Sequence, residues 1–247
     1  MPQQAPFARH VVVVGASGGI GHALSERVAS TQAPVRLTRL VRDPSALHPL
    51  SLVSTDIACN IESEDAIAAA VAAIPPDPVP DRIWIATGWL HDQSRQPEKT
   101  YRQLDAEQLL HAYRINAIGP ALLMKYLLPR LSRDRPARIG ILSARVGSIS
   151  DNRLGGWHSY RASKAALNML IRNFAIELRL KRAPHLVIGL QPGTTDTRLS
   201  APFRRGLRPG QLQSPAFTAA HLVDVLERVT LEDSGGLFDF LGERFEP

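Results

Sequence analysis

The chain contains few cysteine, lysine and aromatic residues, and these low counts exclude several classes of protein. Cys59 is the only cysteine among 247 residues, so no disulfide can form within the chain. The apolar run Val11–Val14 is too short for the core of a signal peptide, and no run approaches the roughly 20 residues of a membrane span. We therefore expect a cytoplasmic protein with no membrane partner.

The basic residues are nearly all arginine, with 25 arginines against four lysines and a net charge of +6. The densest groups, in 130–138 and 204–208, carry no interleaved aromatic residues. We therefore expect a solvated basic surface and no nucleic-acid partner, with a few basic residues left to bind an anionic cofactor. His91 and His158 have no cysteine or acidic partner at ligand spacing, so no metal site is expected.

Short apolar, β-branched runs alternate with helical stretches along the chain. This alternation predicts right-handed crossovers and a mainly parallel sheet with helices on both faces. We predict a Rossmann-type, doubly wound α/β fold in which residues 1–247 form a single domain. Its seven strands are expected at 11–14, 35–41, within 50–59, and at 82–87, 138–142, 186–190 and 237–240. Ligands of such sheets bind beyond the carboxyl ends of the strands, so the site should follow the first, fourth, fifth and sixth strands.

A glycine-rich loop follows the first predicted strand. Residues 15–21 read Gly-Ala-Ser-Gly-Gly-Ile-Gly and lead directly into a predicted helix. The glycines permit a tight turn, and the helix N-terminus offers free N–H groups to a diphosphate. A glycine turn without a ligand is the alternative, but the position after a buried strand favours a dinucleotide-binding loop.

The end of the second predicted strand indicates which nicotinamide cofactor is favoured. An acidic residue there binds the adenosine ribose of NAD, whereas a basic residue binds the 2′-phosphate of NADP. Arg42 follows the strand and can form charge-assisted hydrogen bonds to that phosphate. Asp43 is the competing NAD-type acid, although it precedes Pro44 and suits a turn or cap equally well. We predict a preference for NADP(H) over NAD(H).

Tyr160 and Lys164 are four residues apart in a predicted helix and therefore share one face. A free tyrosine has a pKa near ~10, too high for an efficient acid or base at neutral pH. A nearby ammonium stabilises the phenolate and lowers that pKa. An ordinary exposed pair at this spacing is the alternative, so the pair by itself only suggests proton transfer.

Several motifs together resemble the short-chain dehydrogenase/reductase family over nearly the whole chain. Residues 160–168 read YRASKAALN, Asn116 lies in INAIGP, and residues 192–197 read PGTTDT; the glycine loop completes the set. Residues 145–149 (RVGSI) and 234–243 (SGGLFDFLGE) resemble the branch of the family named after the bacterial C-factor.

The resemblance implies an NAD(P)-dependent enzyme that moves a hydride between its cofactor and a carbonyl/alcohol pair. Tyr160 is then the general acid/base, Lys164 holds the nicotinamide ribose and assists Tyr160, and Asn116 anchors a water for proton relay. The residues expected to contact the cofactor are Gly15, Ser17, Gly19, Ile20, Gly21, Arg42, Asn60, Ile61, Gly88, Tyr160, Lys164, Pro192, Thr195 and Thr197.

The catalytic serine is where the sequence departs most from the family. The family usually has Ser-Ser-x-x-Gly after the fifth strand, whereas residues 143–147 read Ser-Ala-Arg-Val-Gly. Ala144 therefore stands in the catalytic place, and Ser143, one residue earlier, points to the opposite face of a strand. Three alternatives remain open: the strand end twists so that Ser143 serves, Ser148 reaches in, or the site has no serine. Ser143 is our prediction.

Two smaller departures concern the cofactor. The family's adenine-binding aspartate aligns with Asn60, whose amide oxygen can still accept a hydrogen bond from an amine. The family's Asn-Asn-Ala-Gly is Ile-Ala-Thr-Gly at residues 85–88, which leaves only Gly88 in common.

The sequence supports two functions. The first is an NADPH-dependent carbonyl reductase acting on a small molecule, with a variable substrate lid at about 198–215. The second is an NADP(H)-binding signalling or regulatory protein with little turnover, which the missing serine and the C-factor resemblance suggest. In either case the resemblance implies a homodimer or homotetramer formed through the predicted helices at 106–131 and 160–180.

Overall fold

The computed structural model describes residues 7–247, so residues 1–6 of the predicted domain lie outside the described part of the chain. Ten strands are found there: β1 Arg9–Val14, β2 Val35–Val41, β3 Ser54–Ala58, β4 Arg82–Ile85, β5 Arg138–Leu142, β6 Leu186–Gln191, β7 Thr194–Thr195, β8 Leu212–Gln213, β9 Leu237–Asp239 and β10 Arg244–Phe245. The main sheet has the order β10-β9-β6-β5-β4-β1-β2-β3, and β7 and β8 form a separate pair. Within the main sheet only β9 and β10 pair antiparallel.

Helices cover both faces of the sheet. They are α1 Gly19–Ala29, α2 Glu64–Ala72, α3 Ala106–Tyr113, α4 Gly119–Leu127, α5 His158–Leu180 and α6 Pro215–Arg228. Apolar side chains of α2, α4 and α5 pack on one face, and those of α1 and α6 pack on the other. The central strands are therefore buried on both sides, which explains why β1 has a continuous run of four valines rather than an alternating pattern.

The predicted α/β fold with a mainly parallel, doubly covered sheet is confirmed. The seven predicted strands are present, and β10 adds an eighth at the sheet edge. Sequence patterns miss this strand because it is only two residues long and pairs with β9 across a short turn at Gly242, whose φ of +87° suits glycine.

The long helix predicted at 106–131 is interrupted. A π-helical turn at Arg114–Ile118 separates α3 from α4, and the N–H of Gly119 donates to the carbonyl of Arg114. Pro120 has no N–H to offer the carbonyl four residues earlier, which belongs to Asn116. The predicted bend at Gly119–Pro120 is thus realised as a π turn that contains Asn116.

The predicted lid, residues 198–215, contains a 3₁₀ turn at Ala201–Phe203 and the short strand β8. It crosses the carboxyl end of β6, where β7 pairs with β8. Across residues 7–247, no helix combines the length and hydropathy needed to cross a membrane.

Candidate active site

Most of the predicted site residues gather at the carboxyl ends of β1, β4, β5 and β6, and Arg42, Asn60 and Ile61 follow β2 and β3. Gly15 follows β1 with a φ of +79°, and a Cβ on it would lie 3.1 Å from backbone atoms of Ala86. Gly88, after β4, faces α5 and the π turn: a Cβ there would lie 3.8 Å from both Asn116 Oδ1 and Lys164 Nζ. The chain therefore brings the glycine loop, the strand ends and the tyrosine helix to one edge of the sheet.

The N-terminus of α1 lies open to a phosphate group. Gly18 is the N-cap and supplies no side-chain hydrogen bond to the first turn. Ser17, Gly18 and Gly19 are exposed. Thr197 lies across this turn, with its Cγ2 2.6 Å from the position that a Cβ on Gly19 would take. The predicted diphosphate loop after β1 thus meets Thr197, a predicted nicotinamide-side residue that follows β6.

The donor set and the local space fit a dinucleotide. The first turn of α1 presents backbone N–H groups whose partial positive charge suits a diphosphate. Thr87, next to Gly88, has a buried hydroxyl oxygen without a hydrogen-bond partner among residues 7–247. A buried polar atom of this kind normally has a partner, so a ligand group at this strand end would satisfy it.

Arg42 and Asp43 take different roles at the end of β2. Asp43 caps a 3₁₀ turn, and its carboxylate accepts hydrogen bonds from the backbone and hydroxyl of Ser45 at 3.0 and 2.7 Å. Those bonds lower the pKa of Asp43. Arg42 is exposed and forms no hydrogen bond or ion pair with the described residues. The acid is thus engaged in a turn, and the guanidinium is available.

Asn60 and Ile61, the predicted adenine-side residues, follow β3. Asn60 is exposed, and its Oδ1 accepts the N–H of Glu62 at 3.1 Å. Ile61 packs against Trp89 and Ile115. The side chain of Ile61 therefore supports the wall behind the cleft, and the amide nitrogen of Asn60 stays open to solvent.

Asn116 is completely buried and fixes the segment after β4. Its Oδ1 accepts the N–H of Trp89 at 2.7 Å, and its Nδ2 donates to the carbonyl of Trp89 at 2.8 Å. The same Nδ2 donates to Ser163 Oγ at 3.0 Å, and Ser163 donates to the carbonyl of Tyr160. Asn116 therefore joins the strand end at Gly88 to the tyrosine helix.

Tyr160 and Lys164 are both buried in the first turns of α5, and Lys164 Nζ lies 5.9 Å from the centroid of the Tyr160 ring. Burial raises the pKa of Tyr160 above its ordinary value. Burial also lowers the pKa of Lys164 to about 8. The site therefore holds a neutral phenol beside an ammonium that loses its proton far more readily than an exposed lysine does.

One face of α5 is hydrogen-bonded to the end of β5. Lys164 Nζ donates to the carbonyl of Leu142 at 2.9 Å. Asn168, one turn later, accepts the hydroxyl of Ser143 at 2.5 Å. Asn168 and Ser163 were not predicted as site residues from the sequence. The available signal was their spacing, because Asn168 stands four residues after Lys164 and Ser163 stands three after Tyr160, and residues three or four apart are neighbours on a helix.

Among residues 7–247, no serine hydroxyl forms a direct hydrogen bond with the phenolic hydroxyl of Tyr160. Ser143 lies on the α5 side of the sheet but donates to Asn168. Ser148 is buried, accepts the N–H of Asp151 at 3.1 Å and lies 3.3 Å from Ser150 Oγ. The assignment of Ser143 as the substrate-orienting serine stays a prediction.

Gly147 sets the position of Lys164. A Cβ on Gly147 would lie 2.7 Å from Lys164 Cβ and 2.9 Å from its carbonyl carbon. We expect Gly147→Ala to push α5 away from the loop and lower kcat/KM by about 10- to 100-fold, because a catalytic group misplaced by about 1 Å can cost on the order of 10²-fold. Steady-state kinetics on a turned-over carbonyl substrate measure this.

The control for this variant is Gly242→Ala. It also introduces a Cβ at a glycine, with a φ of +87°, but in the β9–β10 turn. We expect it to lower the thermal midpoint without lowering kcat/KM. Equal kinetic losses in both variants would mean that Gly147 matters only for folding.

The aromatic and histidine side chains around the site divide into two groups. Trp89 is buried against Ala112 and Ile115 and stacks edge-on with His111, so it belongs to the scaffold. His91 and Trp157 are half-buried and pack around Phe203 of the lid. Among residues 7–247, no group of three or more histidine, cysteine or acidic side chains is arranged to hold a metal ion.

Several known proteins resemble this chain in sequence. Residues 9–208 match the sequence profile of short chain dehydrogenases. The chain is 30% identical over 230 residues to the 1-hydroxy-2-glutathionyl-2-methyl-3-butene dehydrogenase of Rhodococcus sp. (strain AD45). The aligned region covers 91% of this chain and 93% of that protein. It is also 30% identical over 139 residues to the C-signal of Myxococcus xanthus, across 56% of this chain and 78% of that protein.

A solved structure extends the likeness to three dimensions. The Burkholderia multivorans short-chain dehydrogenase/reductase with bound NADP superposes with a TM-score of 0.77 at 26% identity. The superposition covers 97% of this chain and 99% of that one.

Proposed function

The chain belongs to the short-chain dehydrogenase/reductase family, and from that premise we propose that it is an NADP(H)-dependent oxidoreductase that interconverts a carbonyl and an alcohol. The observation that carries the proposal is the burial of Tyr160 and Lys164 together beside Gly88, at the edge of the sheet where the glycine loop ends. The bound cofactor would supply or accept the hydride, and the chain supplies or accepts the proton.

The proton is held at the hydroxyl of Tyr160. Because burial keeps this phenol neutral, its O–H can donate to a carbonyl oxygen as that oxygen gains negative charge during reduction. The phenolate left behind is stabilised by the ammonium of Lys164. In the reverse direction the phenolate accepts the alcohol proton. Asn116 fixes the position of Gly88 relative to Tyr160 through its hydrogen bonds to Trp89 and Ser163. A fixed spacing of this kind helps to orient the reacting groups.

Residues from each strand end would hold the dinucleotide. The first turn of α1 after Gly15–Gly21 would bind the diphosphate, and Pro192, Thr195 and Thr197 would close over the nicotinamide side. Ser200 braces this closing segment, since its hydroxyl donates to the carbonyl of Thr195 at 2.5 Å. Thr195 also pairs with Thr218 of α6 at 2.9 Å. The segment is thus braced at several points, as a cofactor-binding wall should be.

The preference for NADP(H) rests on Arg42. Its guanidinium is exposed and without a partner among residues 7–247, whereas Asp43 is engaged in a turn. The Burkholderia multivorans neighbour, which binds NADP, supports the same preference.

We expect Arg42→Ala to raise the KM for NADPH by about 10- to 100-fold and to leave the KM for NADH unchanged, because hydrogen bonds to a charged phosphate contribute about 1.5–3 kcal/mol. Arg27→Ala is the matched control, since Arg27 is exposed in the last turn of α1, at the end away from the glycine loop. A parallel rise for NADH would assign Arg42 to a shared part of the cofactor.

The direct test of the proposed activity is oxidation of NADPH by the full chain across a panel of aldehydes, ketones and diketones, followed by absorbance. Cofactor binding is measured separately by calorimetry. We expect turnover on at least one carbonyl class. Tight NADPH binding with no turnover on any of them would contradict the proposal.

Tight NADPH binding without turnover would favour a regulatory function. The observation that favours it is the engagement of Ser143 with Asn168, which leaves Tyr160 as the one side chain assigned to the substrate carbonyl. The similarity to the C-signal of Myxococcus xanthus points the same way.

We also propose that the protein works in the cytoplasm as a homodimer or homotetramer. Apolar side chains remain exposed on the helices assigned to the oligomer face, among them Leu110, Ile118 and Met169. Burial of these side chains against a second copy would remove apolar surface from water. Sedimentation of the purified chain measures this directly.

A further inference from the structure

The residues that lead into α5 have an unusual backbone. Gly155 and Gly156 have φ values of +63° and +65°, and Trp157 follows in the left-handed region with φ 50° and ψ 42°. A bulky aromatic residue rarely adopts this conformation. Such outliers persist where the surrounding structure fixes them and concentrate at functional sites. The Trp157 side chain is therefore positioned at a cost that glycine or asparagine would avoid.

Glu98 holds this turn from a distant segment. The carbonyl of Glu98 accepts the N–H of Trp157 at 2.5 Å. Its carboxylate, on a residue that is only 2% exposed, accepts the N–H of Ser159 at 3.2 Å and also the Ser159 hydroxyl. These bonds fix the backbone on both sides of the Trp157 carbonyl. The position of the indole is therefore set by the surrounding structure.

The indole connects the proton donor to the lid. Its centroid lies 6.2 Å from that of Tyr160 with the rings at 74°, an edge-to-face contact. The centroid of the Phe203 ring lies 4.9 Å from that of Trp157, and the centroid of the His91 ring lies 5.5 Å from that of Phe203. The rings of Phe203 and Tyr160 thus both pack against Trp157. A spacing of 4.9 Å leaves no room for another ring between Trp157 and Phe203.

Phe203 reaches this place from an exposed segment of the lid. Its neighbours Ala201, Pro202 and Arg205 are exposed, and a Cβ on Gly206 would meet nothing within 4 Å. Arg204 ties the segment to the carbonyl of Thr197 at 2.9 Å and pairs with Asp196. These contacts hold the segment through Arg204 and do not involve the phenyl ring of Phe203.

We propose that the face of Trp157 binds an aryl group next to the reacting carbonyl, in the position that the Phe203 ring takes in the structure. The inference rests on the proposed carbonyl reductase function and names its substrate class: aryl ketones or aldehydes. Aromatic pairs gain free energy beyond the area they bury. An aryl ketone is therefore preferred over a saturated ketone of the same carbon count by about 2- to 10-fold.

The experiment compares acetophenone with cyclohexyl methyl ketone in wild type, Trp157→Asn, Trp157→Phe and Phe203→Ala. Asparagine tolerates the left-handed conformation, so Trp157→Asn removes the ring without adding backbone strain, and thermal midpoints verify folding. We expect kcat/KM to favour acetophenone in wild type and Trp157→Phe, and the ratio to fall to about one in Trp157→Asn. Phe203→Ala, which removes the competing ring, lowers the KM for acetophenone.

Binding is measured without turnover by equilibrium dialysis of both ketones against the protein with NADP⁺, since the oxidised cofactor cannot reduce them. Equal binding of the two ketones to wild type, or an unchanged ratio in Trp157→Asn, overturns the inference. Absence of NADPH oxidation with an intact binding preference contradicts only the proposed function, so the two failures are distinguishable.

Discussion

Replacing Tyr160 by phenylalanine lowers kcat by about 10²–10⁴-fold, the range that a positioned general acid/base contributes. The ring is buried and packs against Trp157, so phenylalanine keeps these contacts and removes only the hydroxyl. We therefore expect the Kd for NADPH to change little. Kinetics on a turned-over carbonyl, with calorimetry of NADPH binding, separate the two effects.

The matched control is Tyr126→Phe. Its hydroxyl donates to Glu64 at 2.9 Å on the surface, far along α4 from the site. Losing an exposed hydrogen bond should change the free energy of unfolding by no more than about 0.5 kcal/mol and leave kcat intact. If Tyr160→Phe turns over substrate at the wild-type rate, the proton comes from another group and the assignment of the acid fails.

Much of this arrangement could be predicted because it depends on short-range spacing. The separation of four residues places Tyr160 and Lys164 on one helix face whatever the rest of the chain does. The glycine loop at Gly15–Gly21 and the strand before it predict both a parallel sheet and the edge at which ligands bind. These local rules explain why the fold and family were predicted correctly.

What could not be predicted depends on contacts between distant segments. The hydrogen bonds of Glu98 to Ser159 join residues 61 apart, and no local pattern marks Glu98 as buried. Ser143 and Asn168 are likewise paired only by the packing of α5 on β5. Alternation along a strand placed Ser143 on one face but could not tell which side chain of the opposite helix would accept its hydroxyl.

The cofactor preference could be predicted only in part from the sequence. The sequence placed Arg42 and Asp43 after β2 but left their roles open. In the fold, Asp43 is satisfied by Ser45 in a local turn, whereas Arg42 is left exposed. The distinction comes from one hydrogen-bonded turn rather than from the identity of either residue.

Replacing Lys164 by methionine should lower activity and raise stability. An opposite charge near a titrating group typically shifts its pKa by about 1–3 units, so loss of the ammonium should lower kcat by about 10- to 10³-fold. Burial lowers the pKa of Lys164 from 10.5 to about 8. At pH 7 the folded protein therefore carries a buried charge that costs roughly 3 kcal/mol. Methionine fills a similar volume without that charge.

The pH dependence of the stability difference identifies its origin. Between pH 8 and 10.5 unfolded Lys164 binds more protons than folded Lys164, so wild-type stability rises with pH in this window relative to Lys164→Met. The advantage of the variant should therefore be largest below pH 8 and vanish as pH approaches 10.5. Urea unfolding of both proteins across this range measures it. Lys181→Met, at a lysine whose side chain is 73% exposed, should show no such trend.

A stabilised but inactive Lys164→Met protein would mean that the buried ammonium lowers the stability of the fold and is needed to stabilise the Tyr160 phenolate. A destabilised variant would mean instead that the hydrogen bond from Lys164 Nζ to the Leu142 carbonyl contributes more than burial of the charge costs. In that case the lysine would act mainly as a clamp between α5 and β5. The stability curve and kcat together therefore separate a proton-tuning lysine from a structural one.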